Sequence, residues 1–423
     1  MACVVLGTDE FIPLARAQLR AKGLPGLPVV TVPHPIGGIP PAAVAAKAEA
    51  IVDRVLRALT SEPDTGALAT DGSGQMIDAP GDLDDFQSWL MERGWGDGLP
   101  AIPPTRERVA RMLSGSRRRP DEVAAVLVPR LGRATLEAIA VNAVMAGASS
   151  EHLPVILAAV EAVADPAFNL QAIQTTTHPC SPLVIVNGPI ARRLGIHAGG
   201  NVLGQGTRAN AVIGRAVRLI LQNVGGARPG QEDRATHGHP GKFSYCMAEN
   251  EAASPWASLS AERGFAASDS TVTVCGSEAP HNINDHASTT PDAIVTTVAS
   301  VMATVGSNNI YLGGEPLVVL GPEHAATAAS SGWGKDELRR QLWERSAVPL
   351  ARFAPENIAR FATIYPEEFQ DRPAGSVAHL ARDWRDIMVV VSGGAGKHSA
   401  LIPTFGATRS VTRRIADERG DDR

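Results

Sequence analysis

Cysteine and lysine are scarce in this chain, and long apolar runs are absent. Four cysteines in 423 residues do not make a disulfide scaffold; they suit a reducing cytoplasm, as free thiols or metal ligands. No apolar stretch approaches the roughly 20 residues that a membrane span needs, and the N-terminus has no basic region typical of a signal peptide. We therefore expect a cytoplasmic protein that does not cross a membrane.

Charge and composition limit the class of protein further. The net charge is −5, which gives no general attraction to nucleic acid or to an anionic membrane. Hydrophobic residues make up 44% of the chain and charged residues 20%, as in a globular protein, and the length predicts two or three domains. Because lysine is rare, Lys242 and Lys397 are of interest as functional cations.

Chemically versatile side chains are densest between residues 234 and 286. The runs RATHGHPGKFSYCMAENEAASPW and STVTVCGSEAPHNINDH contain Cys246 and Cys275, and both cysteines lie in short segments of period-two alternation that predict strands. We expect each cysteine to end its strand on the more polar face. Cys246, Cys275, His281 as base and Glu249 as acid or base are the predicted catalytic residues. Burial as packing residues is the alternative.

Residues 1–60 predict a small β-α-β-α unit. Strands are expected at 2–6 and 27–32 and helices at 9–21 and 40–59. The loop with sequence PHPIGG lies between the second strand and the last helix, where His34 is the local functional candidate. So small a core should need a partner surface.

The run TDEFIPLARAQLRAKGLPGLPVVTVPHPIGGIPPAAVAAKAEAIVDRVLRAL in this unit resembles the C-terminal half of the UGSC family of (seleno)proteins. It is similar, more distantly, to the tail of the glycine/betaine reductase component B selenoprotein. In these families the redox selenocysteine or cysteine lies upstream of the strand that corresponds to residues 2–6. The resemblance therefore implies half of a redox module, completed by a small Cys- or Sec-containing partner protein. Cys3 does not match the redox position, and we expect it to be a buried structural thiol.

Residues 61–83 lack periodicity and predict a linker, and residues 84–423 predict one large α/β region. PLVIVNGP at 182–189 is almost repeated as PLVVLGP at 316–322, each after an apolar helix. We interpret this as an internal duplication, with repeats at about 130–225 and 270–345. Continuous apolar strands alternating with helices favour a mostly parallel sheet. Ligands bind beyond the carboxyl ends of such strands, so we expect the glycine-rich strand ends and the 234–286 stretch to surround one crevice.

Two glycine-rich segments predict anion binding. SGGAGKHS at 392–399 follows a strand, and GIHAGGN at 195–201 leads through Arg208 and Asn210 into a helix expected at 211–224. The first fails the P-loop spacing and no G-x-G-x-x-G is present, so neither ATP nor NAD is expected. A tight turn is the alternative for both segments. The predicted substrate-binding residues are Arg208, Asn210, Lys397, His398, and Trp95 and Asp97 of the GWGDGLP turn.

A metal site is the rival hypothesis for the Cys/His residues. The candidate ligands are His178, Cys180, His237 and His239, which suit zinc, iron or copper, although no pair has zinc-finger spacing. His237 and His239 are predicted to point the same way from a strand.

The large region also resembles uncharacterised bacterial proteins associated with UGSC-type modules, over residues 84–405. The shared runs include GWGDGLPAIPPT, RANAVIGRAVRLILQNVGGARPG and PGKFSYCMAENEAASPW. This resemblance implies an enzyme-like architecture without naming a reaction.

Three hypotheses follow from the sequence. The first is an oligomeric enzyme that uses thiol or redox chemistry on a small, anionic organic substrate together with a partner subunit. The second is a metal-dependent lyase, hydrolase or oxygenase. The third is a non-catalytic scaffold subunit of a redox complex.

Overall fold

The structure is a computed structural model that describes residues 3–21, 24, 26–60, 76–373 and 375–416. Most of the predicted linker, residues 61–75, lies outside the described residues. The division into domains at 60 and 84 therefore stays a prediction.

Strands and helices are interspersed along the described residues. The strands are β1 (Val5–Thr8), β2 (Val29–Val32), β3 (Val123–Leu127), β4 (Gly132–Thr135), β5 (Ser181–Asn187), β6 (Cys246–Ala248), β7 (Thr271–Ser277), β8 (His281–Asn284), β9 (Leu317–Leu320), β10 (Val348–Pro349), β11 (Val377–Ala378), β12 (Met388–Val391), β13 (His398–Ile402) and β14 (Val411–Arg414). The helices are α1 (Ile12–Ala21), α2 (Pro41–Glu49), α3 (Val52–Thr60), α4 (Leu83–Glu92), α5 (Arg106–Leu113), α6 (Leu136–Met145), α7 (Leu153–Val163), α8 (Leu170–Thr175), α9 (Pro189–Arg193), α10 (Arg208–Asn223), α11 (Leu259–Glu262), α12 (Pro291–Met302), α13 (Asn308–Leu312), α14 (Pro322–Ser330), α15 (Lys335–Arg345), α16 (Pro355–Ile364) and α17 (Pro366–Phe369).

The N-terminal unit is the predicted β-α-β-α arrangement. β1 and β2 pair in parallel, and the small core between sheet and helices is built on Val30, Val32 and Ile51. The helix expected over 40–59 is divided into α2 and α3. Cys3 is exposed, so the prediction of a buried structural thiol is wrong. The strand β1 begins at Val5, beyond Cys3, which leaves the thiol outside the small core.

Two four-stranded sheets form the centre of the large region. Their strand orders are β14-β7-β5-β6 and β8-β13-β9-β12. In each sheet the last two strands are parallel, β5 with β6 and β9 with β12, and the other neighbours are antiparallel. The α/β class is confirmed, but the expectation of mostly parallel pairing is wrong.

The two sheets share one topology and exchange their edge strands. After β7 the chain crosses to the second sheet and forms β8, and after β13 it crosses back to the first and forms β14. The two crossing segments run antiparallel and touch at Ser277 and Thr404. An internal duplication would produce such a correspondence, and the reciprocal exchange ties the two halves together.

The sheets stack face to face, with helices on their outer faces. Along β5, Leu183 and Ile185 belong to the core between the sheets, whereas Val184 and Val186 belong to the core under α6, α7 and α10. The second sheet has the same alternation, with its outer core under α12 and α15. The strands are therefore apolar on both faces because the sheets form a sandwich between helices, which explains why their sequence resembles that of parallel strands.

Candidate functional site

The carboxyl ends of β5 and β6 hold a buried polar cluster. Asn187 ends β5 and donates from Nδ2 to Glu249 Oε2 at 2.7 Å and to Glu251 Oε1 at 2.9 Å. The backbone N–H of Gly188 donates to the same Glu251 oxygen at 2.8 Å. The Glu249 side chain is fully buried. The predicted acid–base residue Glu249 thus lies at a strand end, as the α/β pattern suggested.

Cations from the second half of the chain complete this cluster. Lys335, at the start of α15, places Nζ 3.7 Å from Glu249 Oε1 and 3.0 Å from Glu262 Oε2. Arg339 pairs with the other Glu262 oxygen at 2.8 Å. Burial raises the pKa of Glu249, and the positive charge of Lys335 opposes that shift. Among the described atoms, Glu249 Oε1 and Asn187 Oδ1 have no hydrogen-bond partner. The sequence analysis did not identify Lys335, because only the folded chain brings it to Glu249.

The predicted phosphate cradle at 392–399 is a packing turn. The N–H of Gly393 donates to the carbonyl of Ala198, and the N–H of Gly396 donates to Glu323 Oε1. A Cβ on Gly394 would lie 2.6 Å from the Cα of Gly200, so the two glycine-rich segments pack backbone against backbone. The alternative interpretation as a tight turn fits these contacts, since two of the amides expected to face an anion bind protein oxygens.

The remaining predicted substrate contacts of this region have protein partners. The Asn210 amide accepts from the N–H of His197 at 2.8 Å and donates to the carbonyls of His197 and Cys246. Lys397 Nζ donates to the carbonyl of Ser288 at 3.4 Å. Asn210 therefore fixes the loop that precedes α10.

The GWGDGLP turn is anchored to α10. Both carboxylate oxygens of Asp97 accept from the Arg215 guanidinium, at 2.7 and 2.8 Å, and the pair is largely buried. Trp95 packs edge-on against Trp89, with ring centroids 5.4 Å apart. These contacts account for Trp95 and Asp97 without a ligand. The prediction that they bind substrate gains no support here.

Arg208 is the predicted substrate anchor that lines a cavity. The cavity holds about 330 Å³ and lies between α5, the end of α6 and the start of α10. Two further guanidinium groups line it, those of Arg108 and Arg111, together with Ser149 and Ser150. Its other walls are Ile102, Met112, Val144 and backbone of residues 147–148.

The charge in this cavity is unbalanced. Arg208 donates to the carbonyl of Gly147 at 2.7 Å and Arg108 to that of Pro103 at 2.9 Å. Within the described part of the chain, no carboxylate forms an ion pair with Arg108, Arg111 or Arg208. Next to the cavity, burial and the charge of Arg208 lower the pKa of the His152 imidazole. Three guanidinium groups that line one concave site, with no ion-pair partner among the described residues, provide an environment for an anion.

One part of the Cys/His stretch lies with His178 at the opposite end of β5. His178 Nε2 lies 2.6 Å from Glu278 Oε1, and His239 Nε2 lies 3.3 Å from the carbonyl of Ser277. Ser277 ends β7 opposite Ser181, the first residue of β5. β5 is about 20 Å long at 3.3 Å per residue. The prediction that this stretch and the glycine-rich strand ends surround one crevice is therefore wrong, because antiparallel β7 ends where β5 begins.

A buried ionic group lies in the same segment as His239. We call the end of β5 near Ser181, with His178 and His239, the Cys/His end. Lys242 Nζ lies 2.6 Å from Asp233 Oδ2, and the fully enclosed Arg218 guanidinium lies 4.0 Å from the same oxygen. Burial lowers the pKa of Lys242, and the nearby Arg218 charge lowers it further, against the effect of Asp233. Lys242 therefore compensates the charge of Asp233.

Cys246 and Cys275 lie on opposite faces of the first sheet. Cys246 begins β6 and faces the core under the helices, whereas Cys275 lies within β7 and faces the core between the sheets. Neither ends its strand, which corrects the sequence prediction. Burial raises the pKa of each thiol to about 12. At neutral pH only about one thiol in 10⁵ would be ionised, so the two predicted nucleophiles are packed and protonated.

The other predicted catalytic and metal residues are dispersed. His281 is exposed on β8, in the other sheet from Cys275. Gly238 has φ +66° between His237 and His239, so these two histidines do not share one face of a strand as predicted. Cys180 is buried, and burial raises the pKa of its thiol to about 12. Over the described ranges, no three His, Cys, Asp or Glu side chains form a group that could hold a metal ion.

The N-terminal unit touches the large region beside the Cys/His end. Arg234 pairs with Glu10 at 2.8 Å and its guanidinium lies 5.6 Å from the Phe11 ring. Phe11 in turn lies 5.8 Å from the His34 ring, and His34 Nδ1 is 3.1 Å from Thr8 Oγ1. The loop that carries His34 therefore lies near the segment that carries His237 and His239.

Comparison with known proteins identifies the N-terminal unit. The UGSC family matches residues 1–61, which confirms the resemblance inferred from the sequence. No curated protein matches the chain. In the described part of the chain, no helix has the length and apolar character required to cross a membrane.

Proposed function

We propose that this chain is the substrate-binding subunit of an enzyme that acts on a small organic anion. The cavity lined by Arg108, Arg111 and Arg208 carries this proposal. Its volume of about 330 Å³ is at the lower end of the range for small-molecule sites. Guanidinium groups bind carboxylates and phosphates bidentately, and the apolar walls suit a short carbon skeleton. The ligand class is therefore a compact carboxylate or phosphate with more than one negative charge.

Neutralising Arg111 tests the cavity. We expect Arg111→Gln to weaken binding of the ligand by about 10- to 100-fold, because it removes one charge-assisted hydrogen bond worth about 1.5–3 kcal/mol. The measurement is a thermal-shift screen of small dicarboxylates, tricarboxylates and organic phosphates, followed by calorimetry on the compounds that stabilise the protein. Arg106→Gln on the same helix is the matched control, since Arg106 is exposed and does not line the cavity.

Two results would contradict the cavity assignment. One is a wild-type protein that no compound of the panel stabilises. The other is an Arg111→Gln variant that binds as tightly as Arg106→Gln does.

We further propose that redox chemistry enters through a partner that carries a reactive cysteine or selenocysteine. The match to the UGSC family supports a redox-related module in residues 1–61. Cys246 and Cys275 are buried thiols, so a partner thiol or selenol is the better source of a nucleophile. The N-terminal unit also exposes apolar side chains to such a partner: Leu6 and Leu56 are each 56% exposed and Val52 is 49% exposed.

A charge placed among these exposed apolar side chains should prevent the chain from binding its partner protein. We expect Leu56→Asp to stop co-purification of a small Cys- or Sec-containing protein that binds the wild-type chain on co-expression, because association would bury the new carboxylate. Leu83→Asp is the matched control: the same exchange at a leucine that is 60% exposed in α4, outside the N-terminal unit. The docking surface would be refuted if both variants lost the partner equally, or if neither variant lost it. A partner that binds a chain with no ligand in the cavity would favour the scaffold hypothesis.

A further inference from the structure

Two exposed histidines meet at one edge of the second sheet, apart from the sites described above. His398 begins β13, and His286 follows β8, the antiparallel neighbour of β13. Their Nε2 atoms are 3.1 Å apart and their ring planes are nearly perpendicular, at 82°. The Nε2 atoms of the two rings are thus adjacent at the surface.

A second contact orients one of the rings. His398 Nδ1 lies 3.0 Å from Asn282 Oδ1, which can only accept a hydrogen bond. His398 Nδ1 therefore carries the proton in the neutral imidazole, and Nε2 presents its lone pair towards His286. Metal-binding histidines are held in this way by a hydrogen bond at the other ring nitrogen.

We propose that His286 and His398 form a two-imidazole binding site for a divalent transition metal such as Zn²⁺. At a metal–nitrogen distance of about 2.0–2.1 Å, two ligands on one ion lie about 2.9–3.4 Å apart, from octahedral to tetrahedral angles. The observed separation of 3.1 Å falls in this range. Both side chains are exposed, so an ion can reach them without any rearrangement of the core.

The site leaves coordination positions open. No third His, Cys, Asp or Glu completes a ligand group in the described residues, so water or an added ligand fills the remaining positions. The site is distinct from the ligands predicted from the sequence, because none of His178, Cys180, His237 and His239 contributes to it. It differs in position from the arginine cavity and does not depend on the proposed function.

Calorimetric titration of the untagged full chain with Zn²⁺ tests the site. We expect one Zn²⁺ to bind per chain. His286→Ala and His398→Ala should each lower the affinity for Zn²⁺ at least about tenfold. Asn282→Ala should lower it about tenfold, because it removes the hydrogen bond that orients His398. His281→Ala is the matched control, because His281 is exposed on β8 without contacting the pair. Unchanged affinity in both histidine variants, or a wild-type chain that binds no Zn²⁺ at millimolar concentration, would overturn the proposal. His→Gln replacements substitute for any alanine variant that fails to fold.

Discussion

Replacing Lys335 with methionine is expected to lower the free energy of unfolding by about 3–5 kcal/mol at pH 8. The Glu249 side chain is fully buried, and Lys335 is the cation 3.7 Å from it. Without that cation, Glu249 must either stay charged in a buried site with no counterion beside it or fold with a proton, and both cost free energy. Urea unfolding followed by circular dichroism measures the loss.

Two measurements distinguish the loss of the Lys335 charge from lost packing: the pH dependence of stability, and the stability of the double variant Lys335→Met with Glu249→Gln. Burial raises the pKa of folded Glu249, so the folded state retains a proton that the unfolded state releases, and stability falls as the pH rises above about 4.5, the ordinary glutamate value. The loss caused by Lys335→Met should therefore be smaller at pH 5 than at pH 8, and Glu249→Gln should restore most of it. Lys397→Met is the control, because Lys397 contacts a carbonyl and no carboxylate. A loss below about 1 kcal/mol, or one that Glu249→Gln does not reduce, would show that the pair contributes little.

Most elements of the large region could be predicted from local sequence. The apolar periodicity and the caps place α5, α12 and β5 close to their observed bounds; Thr105 accepts from the N–H of Arg108, and Pro291 begins α12. The pairing of strands could not be predicted in the same way. A strand that is buried on both faces has the same apolar sequence in a parallel sheet and in a sandwich, so the sequence of β5 does not reveal that β7 runs antiparallel beside it.

The candidate site was predictable only where it depends on one short segment. Arg208 was identified from the glycine-rich loop that precedes a predicted helix, and Glu249 from the density of reactive residues around it. Arg108 and Arg111 were not identified, although their spacing of three residues on α5 places both on one face of the helix. Lys335 lies 86 positions after Glu249, and the contact arises only when the two sheets stack. Both cysteines had the alternation of buried strands, which indicates burial as readily as chemistry.

The buried thiols should make the protein sensitive to alkali. Burial raises the pKa of Cys246 to about 12 from an ordinary value of 9.0. Between these values the unfolded chain releases the thiol proton and the folded chain retains it, so the free energy of unfolding falls by about 1.4 kcal/mol per pH unit for each such thiol. Below pH 8 both states keep the proton, and the thiol has no effect on the pH dependence.

A comparison of Cys246→Ala with the wild type isolates this effect. The alanine variant loses packing at every pH, but it also loses the ionisable group. Its deficit in free energy of unfolding should therefore shrink by about 2 kcal/mol between pH 8 and pH 10.5. Cys3→Ala is the control, since it makes the same exchange at a thiol that is exposed in the folded chain. If the deficit of Cys246→Ala stays constant up to pH 10.5, the thiol ionises within the folded protein, and Cys246 becomes a candidate nucleophile again.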